Sequence, residues 1–565
     1  MFCSTFLRSG IRLLPGAILL PAFLTCCYGQ PLIYNRSIYN AASYTPNGIP
    51  GGSIAQGSIF SVFGAALGPK TGVSVSAFPL GNSLGGTTIN VVQGNTTVAA
   101  IPVYVSATQI NAIMPSTAPL GAASIQVTVG ATKSNLAPIQ IVTSVFGIFT
   151  ALGTGIGPGI IQNFITATNQ PINQSTVTAQ NGQAVTLWGT GLGPIQAADN
   201  LAPPVGNLPG VKVEVFVGGV SAQVLYSGRA PCCSGTDQVV FNVPATAPDG
   251  CWVPVYVRTN GVNISNFVTM AISPTPGSCT TDVLPTVTAA FLNGQTLAEN
   301  IAVRATTRHD VGVWAPVDAT GDYNVTFAFQ PNVVTFPFNP ALAFPPSGTC
   351  TEYLHQGDLM NGSPLPGSMP TTIPLDYGLP LLLTGPNGIK TLAASFSGAN
   401  ASYLGGLITN NILPSSLYLD PGAYTLQGFG GMNIGTFLTK FTVPTPPTWT
   451  NRLTTNVVTR SQPLTLNWSG GDSGQVVAFI GFGIDLPSNS SAVFACIAPQ
   501  GATSFTIPSD LLANLPATRP NPLQSRDVIY MMTLSGSSLQ AIQATGLQVG
   551  LASFYSIAGK TVVLQ

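Results

Sequence analysis

The segment GSIFSVFGAALGP at residues 57–69 returns as GQAVTLWGTGLGP at residues 182–194, at an offset of 125 residues. Further along, TQINAIMPSTAPLG (108–121) matches DQVVFNVPATAPDG (237–250), and the pair Ser134-Asn135 recurs as Ser265-Asn266. Three matches in the same order, with offsets that grow only slowly, indicate two homologous units separated by small loop insertions. The sequence therefore predicts an internal duplication.

The composition favours strands over helices. Gly and Pro supply 62 and 48 of the 565 residues, and Val, Thr, Ser, Ile and Asn are frequent, as is typical of short strands joined by turns. No stretch shows a sustained helical period. Because 45% of the residues are hydrophobic, the chain can fill several cores, and its length predicts three to five domains.

Short apolar stretches separated by Gly, Pro, Asn and Ser follow the motifs in the same order in both units, as expected for a sandwich. We predict an all-β, multidomain fold of tandem immunoglobulin-like β-sandwiches, with unit 1 at residues 30–150 and unit 2 at 151–275. The predicted strands are 87–92, 98–105, 109–114, 124–129 and 137–142 in unit 1, and 185–188, 211–217, 222–226, 238–243, 253–258 and 267–272 in unit 2.

Two proline-rich segments, 274–277 and 444–447, predict linkers in the remaining chain. They divide it into a β-rich domain at 280–443 and a C-terminal β-sandwich-like domain at 448–565. The strands expected here are 286–291, 302–305, 323–329, 332–336, 464–468 and 476–480, with a long loop at 338–374 and one short helix at 510–515.

The N-terminal residues have the pattern of a secretory signal peptide, predicted at 1–29. Arg8 and Arg12 precede the apolar run 13–24, which is too short to span a bilayer. The residues before Cys27 form a poor lipoprotein cleavage site, so a lipid anchor is not favoured. We expect a secreted or cell-surface protein without a transmembrane segment.

The charge balance argues against a basic surface that would bind the phosphates of nucleic acid. Only 6% of the residues are charged, and 17 basic residues balance 17 acidic ones. We therefore expect no nucleic-acid partner.

Six cysteines follow the signal peptide, an even number that suits an oxidising compartment and predicts disulfides. Adjacent cysteines rarely bond each other, because the eight-membered ring strains the peptide between them. We therefore expect one of the adjacent pair to bond Cys251 and the other Cys279, with the last two either bonded or unpaired. The six are Cys232, Cys233, Cys251, Cys279, Cys350 and Cys496.

Three short motifs invite a chemical interpretation, and each is better explained as structure. GDSG at 471–474 resembles the surroundings of a protease serine, but it also suits a hairpin turn, and the adjacent His309 and Asp310 would point to opposite faces of a strand. GTGIGPG at 153–159 lacks the lysine of a phosphate loop, so an interdomain turn is favoured. DATGDYN at 318–324 offers too few ligands for calcium.

No catalytic, cofactor-binding or metal-binding residue is therefore predicted, and no cofactor is expected. With only two histidines in the chain, a zinc site is not expected either.

The tryptophans offer a second possibility, a surface that stacks against sugars. Trp188 takes the place of Phe63 in the repeat, and both are expected in the core at equivalent positions. The other four lie at strand edges or linkers and are open to either interpretation: Trp252, Trp314, Trp449 and Trp468.

Many short motifs together resemble a large paralogous family of secreted acidobacterial proteins, and each unit is distantly similar to the IPT/TIG class of immunoglobulin-like domains. The resemblance covers residues 38 to about 280 and implies export and an immunoglobulin-like fold. In that family the module usually stands at the C-terminus, whereas here further residues follow it. The motifs are NAASY (40–44), the repeated Gly-rich segments, LGGTTINV (84–91), YVSATQINAIMP (104–115), FGIF (146–149), LYSGRAPCCSGTDQVVFNVP (225–244) and GCWVPVYV (250–257).

These observations predict a non-enzymatic secreted or surface protein that acts in adhesion, as a scaffold or in ligand binding. Its partner would be an extracellular protein or a glycan, and the alternatives are a carbohydrate-binding protein or an accessory to a glycoside hydrolase. A hydrolase would have to use carboxylates after residue 280, although no spacing supports a catalytic pair. The candidates are Asp310, Asp318, Asp322, Glu352 and Asp358.

Overall fold

The computed structural model describes residues 29–565 except 310–316, 358–371, 379, 393–394, 398–399, 411–416, 473 and 519–526. The predicted signal peptide thus lies almost entirely outside the described residues. The described chain is nearly all β, and its tandem immunoglobulin-like sandwiches confirm the predicted fold class. None of its helices is long and apolar enough to cross a membrane.

Unit 1 is built from strands that pair in the order β1-β3-β8-β7-β6-β9-β11-β2. Its core contains side chains from most of these strands, among them Phe60, Val62, Ile110 and Ile125. The strands are β1 (Leu32–Asn40), β2 (Ile54–Ala55), β3 (Ile59–Ala65), β4 (Val73–Ser74), β5 (Ser83–Leu84), β6 (Thr87–Gln93), β7 (Thr96–Val105), β8 (Gln109–Ile113), β9 (Gly121–Val129), β10 (Thr132–Lys133) and β11 (Ala137–Val142).

Unit 2 repeats this arrangement, with pairing in the order β12-β14-β17-β16-β15-β18 and with β20 beside β18. β14, β17, β16, β15, β18 and β20 therefore take the places of β3, β8, β7, β6, β9 and β11. The strands are β12 (Gly147–Ile148), β13 (Ile161–Asn163), β14 (Ala184–Thr190), β15 (Val213–Val217), β16 (Val220–Arg229), β17 (Asp237–Asn242), β18 (Gly250–Thr259), β19 (Asn263–Ile264) and β20 (Val268–Ile272).

The repeated glycines allow the first strand of each unit to approach closely. Gly64 pairs with Ile33 and Gly189 pairs with Ile148. A Cβ at Gly64 would collide with the Leu32 carbonyl oxygen, and one at Gly189 would collide with the carbonyl oxygen of the residue before Ile148. The repeat therefore preserves glycine because the backbones meet there.

We call the residues after unit 2, from 276 onward, the C-terminal region. They form one large sheet, with strands in the order β23-β35-β34-β37-β39-β21-β22-β28-β27, together with smaller sheets packed on it. The elements are α1 (Pro285–Leu292), β21 (Leu297–His309), β22 (Val317–Pro331), β23 (Cys350–Gln356), β24 (Thr372–Pro374), β25 (Leu381–Gly385), β26 (Gly388–Leu392), β27 (Ser395–Ser397), β28 (Asn400–Asn410), β29 (Gly422–Gly428), β30 (Phe437–Val443), β31 (Thr448–Trp449), β32 (Val457–Val458), β33 (Leu464–Ser469), β34 (Val476–Asp485), β35 (Ser490–Ile497), β36 (Ser504–Ile507), α2 (Ser509–Asn514), β37 (Val528–Leu534), β38 (Gln540–Ala541), β39 (Val549–Thr561) and β40 (Val563–Leu564).

This sheet corrects the predicted division into domains at 280–443 and 448–565. β21 lies parallel to β39 along nearly its whole length, although the predicted linker at 444–447 separates them in sequence. Parallel neighbours need a long connection, and here the connection holds most of the C-terminal region. The two predicted domains therefore share one sheet.

Two helices interrupt the strands. The helix predicted near 510–515 is present as α2, whereas the strand predicted at 286–291 is the helix α1. Pro285 occupies its first turn, where a missing N–H is tolerated, and Val287, Ala290 and Phe291 bury one side of it. The strand predicted at 332–336 is also absent, and β23 lies inside the segment predicted as a long loop.

Unit 2 contacts both unit 1 and the C-terminal region. Alternate residues of β18 face opposite sides: Val253 and Val255 enter the core of unit 2, whereas Trp252 and Tyr256 pack in clusters with the C-terminal region. At the end of this contact the Tyr256 hydroxyl donates to Asp510 at 3.0 Å. β18 is therefore buried on both faces.

Candidate functional site

Phe63 and Trp188 occupy equivalent positions, as predicted, but neither belongs to the core. Phe63 lies opposite Gln109 and Trp188 lies opposite Gln238 in the same register. Both rings are only partly buried. The neighbouring Val62 and Leu187 are fully buried, and successive side chains of a strand point to opposite faces. The rings therefore lie on the outer faces of the two units.

A tyrosine completes this arrangement in both units. Tyr104 follows a bulge in β7, and Tyr226 follows a bulge at the matching place in β16. Both tyrosines are partly exposed. We call Phe63, Tyr104 and Gln109 outer face 1, and Trp188, Tyr226 and Gln238 outer face 2. Each outer face thus presents two aromatic rings and one glutamine.

Outer face 1 has additional rings beside Phe63. The ring centroids of Tyr39 and Tyr44 lie 6.1 and 6.2 Å from that of Phe63, and 6.1 Å from each other. Burial raises the pKa of Tyr39 further above its ordinary value of 10.0, and its hydroxyl is protonated at neutral pH as in any tyrosine. The three rings form a partly exposed aromatic cluster on one side of the sheet.

Amide groups lie next to this cluster. Asn111 Oδ1 accepts hydrogen bonds from the Ser61 hydroxyl at 2.9 Å and from Gln109 Nε2 at 3.0 Å. Among the described residues, neither Asn111 Nδ2 nor Gln109 Oε1 has a hydrogen-bond partner. A donor and an acceptor with fixed orientation are therefore available beside the rings.

Outer face 2 is held by its own hydrogen bonds. Trp188 Nε1 donates to Gln162 Oε1 at 2.8 Å, and the Tyr226 hydroxyl donates to the Arg229 carbonyl at 2.7 Å. These bonds fix both rings while their faces remain partly exposed. The side chain of Gln238 has no hydrogen-bond partner within the described chain.

The other three described tryptophans do not form a binding surface. Trp252, Trp449 and Trp468 are only 3–4% exposed, so their rings belong to the interior. Trp314 lies outside the described residues.

The carboxylates proposed for a hydrolase have separate partners. Asp318 pairs with Arg308 and Arg452, and Asp322 pairs with Arg304. Glu352 is buried and accepts a hydrogen bond from Asn514, and its burial raises its pKa to about 8. Asp310 and Asp358 lie outside the described residues. The three described carboxylates therefore do not form a common acidic site.

The remaining motifs are structural in the described chain. Asp472 of the GDSG segment accepts hydrogen bonds from Ser535 and Ser537, whereas Ser473 lies outside the described residues. The predicted hairpin is wrong, because β33 pairs with β31 and β36 rather than with β34. Asp318 and Asp322 lie in a strand, and no group of three or more His, Cys, Asp or Glu able to hold a metal occurs in the described part of the chain.

The cysteines pair differently from the prediction. Cys232 bonds its neighbour Cys233, Cys251 bonds Cys279 and Cys350 bonds Cys496. Cys251 and Cys279 face a cluster shared with the C-terminal region, whereas the adjacent pair lies in the loop between β16 and β17, beside unit 1. The expected bonds from Cys232 and Cys233 to Cys251 and Cys279 are therefore wrong, because these regions contact different neighbours.

No family model and no curated protein matches the sequence. Among solved structures, the chain is similar to the plexin A4 extracellular region (14% identity, 40% of this chain and 16% of that one, TM-score 0.15). It is also similar to SGBP-B from a xyloglucan utilization locus of Bacteroides uniformis (11% identity, 73% of this chain and 97% of that one, TM-score 0.18). A third similar structure is that of Sidekick-1 immunoglobulin domains 1–4 (12% identity, 93% of this chain and 99% of that one, TM-score 0.12). TM-scores this low carry no argument about ligand or arrangement.

Proposed function

We propose that this chain is an extracellular, non-enzymatic binding protein whose two outer faces bind neutral glycans. Export is supported by the N-terminal signal pattern and by three disulfides. Membership of the secreted acidobacterial family, which the motifs suggest, agrees with this location. Adhesion or capture at the cell surface would follow from such binding.

One observation carries the proposal: an aromatic ring stands beside a glutamine at the same register in both units, on the side away from the core. Core packing does not require it, because Phe60 and Val62 in unit 1, and Val185 and Leu187 in unit 2, already fill the interior. A feature that both copies keep without a packing role supports a binding role.

The chemistry of the outer faces suits a sugar. An aromatic face packs against the apolar C–H face of a pyranose ring, and a neighbouring amide both donates to and accepts from its hydroxyl groups. Neither outer face contains a charged side chain among its three defining residues. A neutral polysaccharide is therefore favoured over an acidic one.

The test is a binding titration with soluble neutral polysaccharides, using the full mature chain. We expect the variant Phe63→Ala/Trp188→Ala to lose binding by about tenfold or more, since stacking rings commonly dominate such contacts. Phe429→Ala is the matched control, because Phe429 is also exposed, at 47%, but lies outside both units.

Equal binding by the double variant and the wild type would contradict the proposal. Binding to a purified protein partner that survives the loss of both rings would instead favour the adhesion function without glycan recognition.

A further inference from the structure

The loop that joins β16 to β17 is longer than its counterpart in unit 1. β7 ends at Val105 and β8 begins at Gln109, whereas β16 ends at Arg229 and β17 begins at Asp237. The extra residues contain the adjacent cysteines. We call residues 230–236 the cysteine loop.

The disulfide of the cysteine loop is the accessible one. Cys232 and Cys233 are both exposed. Cys251, Cys279 and Cys496 are only 5%, 8% and 0% exposed and Cys350 is partly exposed, so the other two bonds are less accessible than this one. Thiol–disulfide exchange requires that a thiolate reach a disulfide sulfur. A reductant in solution should therefore react with the Cys232–Cys233 bond before it reacts with the other two disulfides.

The cysteine loop also contacts unit 1. The Gly235 carbonyl accepts a hydrogen bond from the Thr190 hydroxyl at 2.5 Å, and the same hydroxyl accepts from the backbone N–H of Ile59 at 2.8 Å. The Ser234 hydroxyl donates to the Asp199 carbonyl. One hydroxyl thus connects the loop to β3 of unit 1.

The two residues that flank the cysteine loop form a buried ion pair. Arg229 lies opposite Asp237 in the register and forms a salt bridge with it, and both side chains are almost completely buried. Arg229 Nη2 donates to the carbonyls of Gly57 in unit 1 and Gly193 in unit 2. The cysteine loop therefore adjoins one of the contacts that hold the two units together; others join Asn40 to Thr190 and Ser116 to Asp199.

We propose that Cys232–Cys233 is an exchangeable disulfide, a substrate for dithiol reductants, and that its reduction loosens the contact that the cysteine loop makes with β3 of unit 1. A reductant thiolate bonds one cysteine sulfur and releases the other as a thiolate. The second reductant thiol then displaces the bound cysteine. The reductant leaves as its own disulfide, and its two electrons and two protons remain on the cysteines as two thiols.

The loosening follows from the position of the bond. The disulfide restricts the tip of a loop whose other constraints are hydrogen bonds: backbone bonds such as Cys233 N–H to the Ala230 carbonyl, and the contacts of Ser234 and Gly235 described above. Without the covalent constraint the loop samples more conformations. The contact from Gly235 through Thr190 to Ile59 is then held less firmly.

Accessibility is tested on native protein titrated with dithiothreitol, trapped with N-ethylmaleimide and mapped by mass spectrometry. We expect Cys232 and Cys233 to be labelled at a dithiothreitol concentration about tenfold lower than the other four cysteines. Simultaneous or later labelling of this pair would overturn the proposal.

The effect on the contact is tested by hydrogen exchange of Cys232→Ser/Cys233→Ser against wild type. We expect exchange at the Ile59 amide to rise about fivefold or more, with the Ile33 and Ile148 amides inside the units unchanged as controls. Unchanged exchange at Ile59 would overturn the proposal. If the variant does not fold, selectively reduced wild-type protein is measured in its place and decides the matter.

Discussion

Asn135 and Asn266 make the same pair of backbone hydrogen bonds in the two units. Asn135 Oδ1 accepts from Ile33 N–H and its Nδ2 donates to the Ile33 carbonyl, at 2.9 and 3.1 Å. Asn266 binds Ile148 in the same way, at 2.8 and 3.0 Å. The repeated Ser-Asn pair thus attaches the first strand of each unit to the sandwich.

The two asparagines should differ in their effect on stability. Asn266 is 4% exposed and also donates to the Gly155 carbonyl, whereas Asn135 is exposed, so water can replace it. We expect Asn266→Ala to lower the free energy of unfolding by about 2–3 kcal/mol and Asn135→Ala by about 1 kcal/mol or less. Urea denaturation measures both, and the reverse order would contradict this explanation.

Glu352 should make stability fall as pH rises. Burial raises its pKa to about 8 in the folded protein, above the ordinary value of 4.5, so the folded state keeps a proton that the unfolded state loses between these values. Its neutral replacement Glu352→Gln should therefore stabilise the protein at pH 7 by roughly 3 kcal/mol and have little effect at pH 4. Thermal unfolding across pH 4–8 measures this.

Glu214→Gln is the control for that experiment. Hydrogen bonding to Arg258 lowers the pKa of Glu214, so its loss should slightly destabilise the protein at neutral pH instead. A gain of stability from both variants would point to a general effect of lost negative charge.

Arg229 should contribute far more to stability than the more exposed Arg258. Arg229→Met leaves Asp237 as a buried charge without its cation and should cost about 3–5 kcal/mol. Arg258 is 25% exposed and binds Glu214 and Asp510, so Arg258→Met should cost about 1 kcal/mol. Similar costs in chemical denaturation would show that the Arg229 pair is solvated.

The two outer faces should act together on a long glycan. A chain that reaches both faces binds the second one as an intramolecular event, which can raise the overall affinity about 100-fold or more. Trp188→Ala should therefore weaken binding to a polysaccharide much more than Phe429→Ala does. On a short oligosaccharide it should reduce the stoichiometry from about two sites to one. Isothermal titration calorimetry measures both quantities.

The positions of the strands along the two units were predictable because each motif kept its place in both copies. Side-chain direction was not. Ile59, Phe60, Val62 and Phe63 are all apolar, so the period of two that distinguishes the faces of a strand is hidden in β3. Only the structure shows that Phe63 points outward. The sequence likewise does not indicate which face of its strand the equivalent Trp188 belongs to.

The C-terminal region was predicted less well because its pairings are not local. Thr296 lies just before β21, and its N–H donates to the Gln548 side chain 252 residues later. Nothing in the sequence around Thr296 indicates this partner. α1 was missed because β-branched residues favour strands, whereas the proline at its first turn and the burial of one side favour the helix.

The parallel pairing of β21 with β39 also determines the order in which the parts of the protein can fold. Units 1 and 2 are complete in sequence by Ile272, so a chain that emerges N-terminus first can close both cores before the later residues have emerged. β21 has no such opportunity, since its neighbour on one side, β39, is synthesised long after it. Until then its edge remains unpaired and prone to join another chain. Maturation of the C-terminal region should therefore be the step that most needs protection from aggregation.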